Sequence, residues 1–110
     1  MIQKHTRIEL KGVVLIHDDE NLYAAPLGNI SQGGVFLSQL TSFKDGKVVK
    51  LVVKSEEISA PIQATGRIKR VQTEGKKGTA IEFLSIQNES KEIIRNHAAK
   101  NNFSNNVRLL

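Results

Sequence analysis

A chain of 110 residues with 39% hydrophobic and 25% charged residues has room for one domain and the balance of a globular rather than a disordered protein. It contains no cysteine, which excludes a disulfide framework and a Cys-based zinc site. No apolar run has the form of a signal peptide or the length of a membrane span, so a soluble cytoplasmic protein without membrane insertion is expected. The formal net charge is +5. Its excess gathers in residues 66–78, where Arg67, Lys69, Arg70, Lys76 and Lys77 oppose only Glu74, a balance that suits either an anionic partner or a solvated hairpin end.

In chain order, Arg7 to Ile16 reads as a long first strand, with Gly12 marking a bulge or a close approach. His17 to Asn21 is a polar turn, and Asn21 to Ala25 a short strand stopped by Pro26, which has no N–H for a ladder. Leu27 to Gly34, rich in Gly, Asn and Ser, reads as a structured loop leading into the short apolar strand Val35 to Leu37. Thr41 to Gly46 is a second loop with Asp45-Gly46 as its turn. Lys47 to Lys54 puts Val49, Leu51 and Val53 on one face.

Ala60 to Val71 alternates most clearly. Ile62, Ala64, Gly66 and Ile68 point one way and Gln63, Thr65, Arg67 and Lys69 the other. Glu74 to Gly78 turns the chain into a last strand, Thr79 to Leu84. Short strands at this spacing predict an antiparallel barrel or sandwich. A helix over about 88–100 follows, with Asn88 as its N-cap and Glu89 in its first turn. Ile93, Ile94, His97 and Ala98 form its apolar face, and Asn101-Asn102 its stop. The tail 101–110 either stays disordered or lays Phe103, Val107 and Leu109 on the barrel.

Catalytic patterns are missing. His5, His17 and His97 sit in unrelated contexts. Asp18-Asp19-Glu20 reads as an exposed acidic turn, since no further carboxylates follow at calcium-loop spacing. The glycines of 28–34 lead into a strand rather than a helix, unlike a phosphate loop, and no Ser sits in a nucleophile elbow. A binding module rather than an enzyme is the reading, and scarce aromatics (Phe 4, Tyr 1, Trp 0) disfavour nucleic acid stacked on a barrel.

Two segments carry polar chemistry beyond scaffolding. In Asn29-Ile30-Ser31-Gln32-Gly33-Gly34 the amide and hydroxyl offer donors and acceptors, and the glycines permit φ > 0 and close backbone approach. Such a loop either presents an edge to a planar base or forms a Ser turn that satisfies its own backbone. In Lys4-His5-Thr6-Arg7 the Arg7 fork can pair bidentately with phosphate or a guanine edge. The alternative there is a frayed terminus.

Together these features resemble the PilZ domain, the bacterial receptor module for cyclic di-GMP. That family carries R-x-x-x-R before its first strand and [D/N]-x-S-x-x-G between its second and third. Asn29-Ile30-Ser31-Gln32-Gly33-Gly34 fits the second motif in full, with Val35-Phe36-Leu37 as the strand after it. Gly66-Arg67-Ile68 and Gly78-Thr79-Ala80-Ile81-Glu82-Phe83 are similar to the family's final strands. The resemblance runs over residues 4–100, leaving 101–110 as a tail. It implies a mainly β fold, a six-stranded antiparallel split barrel with one C-terminal helix.

It also implies a cyclic di-GMP receptor or adaptor that acts on an unidentified effector protein, with output in motility, pili, biofilm or exopolysaccharide control. Ligand-binding roles are implied for Arg7, Asn29, Ser31 and Gly34, with Lys4 as a point charge in place of a second fork. One departure stands out: the first arginine of R-x-x-x-R falls on Gln3. The alternative implied by Gln3 is an interaction adaptor of the same fold that has lost nucleotide binding.

Overall fold

The computed structural model describes residues 7–39, 43–73 and 76–106. Its strands are β1 (Val13–His17), β2 (Leu22–Pro26), β3 (Asn29–Ser31), β4 (Gly34–Leu37), β5 (Val48–Lys54), β6 (Ile62–Thr73) and β7 (Lys76–Ile86), followed by helix α1 (Asn88–Asn106). The period-2 patterns decide which way each strand faces. In β5, Val49, Leu51 and Val53 are buried while Val48, Lys50 and Lys54 are exposed. In β6, Ile62, Gly66 and Ile68 face inward while Gln63, Arg67 and Lys69 face out. With Val14, Ile16, Ile30, Leu37 and Ile81 these inward residues form the core, each large aliphatic side chain contributing roughly 1.5–3 kcal/mol by leaving water.

All pairings are antiparallel, in the order β2-β1-β5-β6-β7-β4-β3. The sheet curls until the segment before β1 meets β3 at the far edge. Ile8 and Ile30 exchange two backbone hydrogen bonds of 2.8 and 2.9 Å, and the Leu27 N–H donates to the Gly12 carbonyl at 3.0 Å. These contacts close the split barrel and fix the entry of the chain. Gly12 is a close approach rather than a bulge, since a Cβ there would lie 2.3 Å from the Lys54 carbonyl oxygen.

Several expectations need correction: the first strand begins at Val13 rather than Arg7, and the last begins at Lys76, inside the expected turn 74–78, and runs to Ile86. The sheet has seven strands rather than six, because Asn29–Ser31 forms β3 instead of a loop. The apolar Ile30, fully buried between polar neighbours, gives that short strand its inward anchor. Asn88 is the first helical residue rather than the cap: the Gln87 carbonyl accepts the first intrahelical bond, from the Lys91 N–H at 3.0 Å. The helix also continues through Asn101-Asn102 to Asn106, since asparagine only weakly disfavours helix and no Gly or Pro follows to end it. Of the tail, 107–110 lie outside the described residues, as do Gln3, Lys4 and His5 at the other end.

Helix α1 packs across β6. Ile94 is buried in the core, with Ile93 and Ala98 packed against it, as its helical spacing predicts. Ser90, buried beside them, accepts a hydrogen bond from the Gln63 N–H on its Oγ at 2.9 Å. No helix among the described residues is long and apolar enough to cross a membrane.

Candidate ligand-binding site

The motif 29–34 is a hairpin. Asn29 pairs with Phe36, Ile30 with Val35 and Ser31 with Gly34, leaving Gln32-Gly33 as a two-residue turn. The Ser31 Oγ accepts from the Gly33 N–H at 3.1 Å, so the hydroxyl does shape its own turn, as a Ser turn would. Its proton remains free to donate, because a hydroxyl is donor and acceptor at once. The turn is pinned to β7 by the Phe83 N–H, which donates to the Gly33 carbonyl at 2.8 Å.

Gly34 is not needed for φ > 0, since among the described residues only Gly46 has a positive φ. It is needed for contact. A Cβ at Gly34 would lie 2.4 Å from the Ile81 carbonyl oxygen and 3.3 Å from the Glu82 Cα. The final glycine of the motif therefore lets β4 press onto β7, with Gly34 in register with Glu82.

Arg7 is brought to this hairpin by the Ile8–Ile30 pairing one residue on. Its Nη1 donates to the Asn29 Oδ1 at 2.7 Å. Beside it opens a cleft of about 540 Å³, within the range of small-molecule sites. Arg7, Ser31, Gly33 and Gly34 line one side, and Lys69 and Glu82 the other. The Lys69 Nζ lies 2.7 Å from the Glu82 Oε2. The Lys69 hydrogen bond, then the Lys69 charge, hold the Glu82 carboxyl below the usual carboxylate range, against a smaller opposing effect of burial.

Chemically this is a cleft for an anion that also carries hydrogen-bonding edges. The planar Arg7 fork and the Lys69 ammonium favour phosphate, while Asn29, the Ser31 hydroxyl and the Glu82 carboxylate suit a polar ring edge. Of the residues the sequence singles out, Arg7, Ser31 and Gly34 line the cleft and Asn29 holds Arg7. Lys4 lies outside the described residues. Lys69 is one of the 66–78 cations that suit an anionic partner, and Glu82 is an addition to the residues the sequence singles out. The alternation of β6 turns Lys69 outward, but only the β6–β7 and β4–β7 registers bring it to the motif.

The other candidates fall elsewhere. Asp18 closes an Asx turn, its Oδ1 accepting from the Glu20 and Asn21 N–H groups at 2.8 and 2.7 Å. Those bonds, foremost the one from Glu20, lower its pKa. His97 is half-buried on the helix and His17 half-buried at the end of β1. Among the described residues, no group of three or more His, Asp or Glu side chains is placed to hold a metal ion.

The family model for the PilZ domain matches residues 2–100, nearly the whole chain. The chain belongs to the PilZ domain family. PilZ domains are binding and adaptor modules, a family of cyclic di-GMP receptors that also engage effector proteins. The fold of this PilZ domain is similar to that of the Bacillus subtilis inhibitor of motility (MotI/DgrA), with a TM-score of 0.75, 18% identity and coverage of 97% of this chain. It spans only 54% of that chain, about half its length. No curated protein sequence matches this PilZ domain.

Proposed function

We propose that this PilZ domain is a cyclic di-GMP receptor that passes ligand occupancy on to an effector protein. The observation that carries the reading is the gathering of Arg7, Asn29, Ser31 and Gly34 at one cleft, with the Arg7 guanidinium already hydrogen-bonded to Asn29. Preorganisation of this kind lowers the entropy cost of binding. In the bound state Arg7 grips phosphate or the guanine edge, Asn29 and Ser31 meet the base, and the arm before Ile8 folds onto the barrel. Lys4, within that arm, adds a point charge. The altered face is what the effector reads, in a bacterial cytoplasm, with motility control as one output.

Titration calorimetry with cyclic di-GMP tests the reading. Saturable heat at micromolar ligand, reduced by Arg7→Ala, is expected. Absence of heat at high micromolar ligand, with the protein shown to be folded, would overturn it.

Gln3 favours a second reading, in which the domain is an adaptor that acts through protein contacts alone. One missing bidentate arginine removes a charge-assisted contact worth roughly 1.5–3 kcal/mol, a loss of about ten- to a hundredfold in affinity. A partner that is captured equally with and without cyclic di-GMP would support that adaptor reading.

A further inference from the structure

The Glu82 carboxylate shares Oε2 with Lys69 at 2.7 Å, and its other oxygen is an acceptor that repels phosphate and suits a hydrogen-bond donor. Glu82 is the one acidic side chain among the described residues that line this cleft, facing the Arg7 and Lys69 cations and the motif glycines. It belongs to the site by construction. On one side β4 puts Gly34 in register with it, and on the other β6 puts Arg67 there. Because Gly34 has no side chain, β4 presses onto the backbone of β7 at Ile81 and Glu82, and this close approach sets the motif hairpin beside the Glu82 side chain. The carboxylate is also reachable: its side chain is 47% exposed and that of its partner Lys69 56%.

We infer that Glu82 reads the Watson–Crick edge of a guanine base and so selects guanine over adenine in the bound dinucleotide. The inference rests on the nucleotide-receptor reading and adds a specificity residue to it. A carboxylate has two oxygens and no donor. Guanine offers two adjacent donors, N1–H and N2–H2, which one carboxylate can accept side by side. Adenine offers a donor at N6 but an acceptor at N1, which a carboxylate repels. Lys69 holds Oε2 at 2.7 Å and leaves the remaining lone pairs, Oε1 above all, for the base. The same ion pair keeps Glu82 in its acceptor form near neutral pH. Repulsion by Glu82 sends the phosphates toward Arg7, so the carboxylate orients the ligand as well as reading it.

The test compares cyclic di-GMP with cyclic di-AMP by calorimetry on wild type, Glu82→Gln and Lys69→Met. Wild type is expected to prefer the guanine ligand. In Glu82→Gln the preference should fall by roughly ten- to a hundredfold, the discrimination of one bidentate base contact, with cyclic di-GMP affinity lost and cyclic di-AMP affinity kept or raised. Lys69→Met should weaken both ligands and leave their ratio nearly unchanged. Equal gains for both ligands in Glu82→Gln would reduce Glu82 to a counter-ion of Lys69 and overturn the inference alone. A wild type that binds neither ligand would overturn the receptor reading, and this inference with it.

Discussion

Arg7 and Asn29, 22 residues apart in sequence, share a 2.7 Å hydrogen bond from Nη1 to Oδ1, and this bond joins the segment before the first strand to the polar motif. Both groups are exposed enough that water can replace the bond. Arg7→Ala should therefore change folding stability by no more than about 1 kcal/mol. Cyclic di-GMP affinity, in contrast, should fall by about ten- to a hundredfold. Arg7→Lys, which keeps the charge but not the fork, should lie between. Urea denaturation and calorimetry on the same preparations separate the two effects.

Restoring the missing arginine tests the same surface from the other direction. Gln3→Arg supplies a second guanidinium four residues before Arg7, and cyclic di-GMP should bind roughly tenfold or more tightly. A shift in affinity with unchanged urea midpoint would identify position 3 as the limiting contact. An unchanged affinity would mean that Lys69, already at the cleft, supplies the charge in its place.

The legible parts of this fold are those written in local patterns. Val49, Leu51 and Val53 alternate with exposed neighbours and are buried as their spacing requires, and Ile93, Ile94 and Ala98 pack where helical spacing puts them. The motif residues could be named because their order along the chain survives in sequence. Strand β3 was hidden because three residues, Asn29, Ile30 and Ser31, are too few to show a period. The meeting of Lys69 with Glu82 was hidden for another reason: it depends on register between strands. Sequence shows that Lys69 faces out, but not that the neighbouring strand puts Glu82 within 2.7 Å of it. Ser90 gave no signal either, because its Gln63 partner lies 27 residues away.

Gly34 should resist substitution for a steric reason. In Gly34→Ala the added methyl group would lie 2.4 Å from the Ile81 carbonyl oxygen, so β4 must move off β7 or the pairing must bend. Overpacking of this kind costs typically about 1–3 kcal/mol. Gly46 makes the comparison: its φ of 86° is in the left-handed region but nothing surrounds it, so Gly46→Asn should cost much less, asparagine tolerating that conformation. Urea midpoints should rank Gly34→Ala well below Gly46→Asn. Ligand affinity should fall only in the first.

The docking of α1 on β6 has two separable parts. Ile94→Ala removes a side chain only 1% exposed and should cost about 2–5 kcal/mol. Ser90→Ala removes the acceptor for the Gln63 N–H and should cost about 1–3 kcal/mol if that N–H finds no water. Far-ultraviolet dichroism on Ile94→Ala should show an earlier loss of helix signal than of strand signal on heating, since the sheet's own registers do not depend on Ile94.

Acid should destabilise the domain through two identified carboxylates. Asp18 is held below its usual range first by the Glu20 and Asn21 N–H groups, with a smaller contribution from the Lys47 charge. Glu82 is held down by Lys69. A carboxyl whose pKa is lower in the folded state binds fewer protons there than in the unfolded chain. Its stabilisation is complete above the unfolded value, about 3.9 for Asp and 4.3 for Glu, and disappears as pH falls through the lower folded value. The urea midpoint of wild type should therefore hold between pH 7 and pH 5 as far as these two groups are concerned, and drop toward pH 3. In an Asp18→Asn, Glu82→Gln double variant the midpoint should be lower at pH 7 and its drop toward pH 3 shallower, because neither position can then take up a proton. Parallel curves for the two proteins would assign the acid sensitivity to other carboxylates.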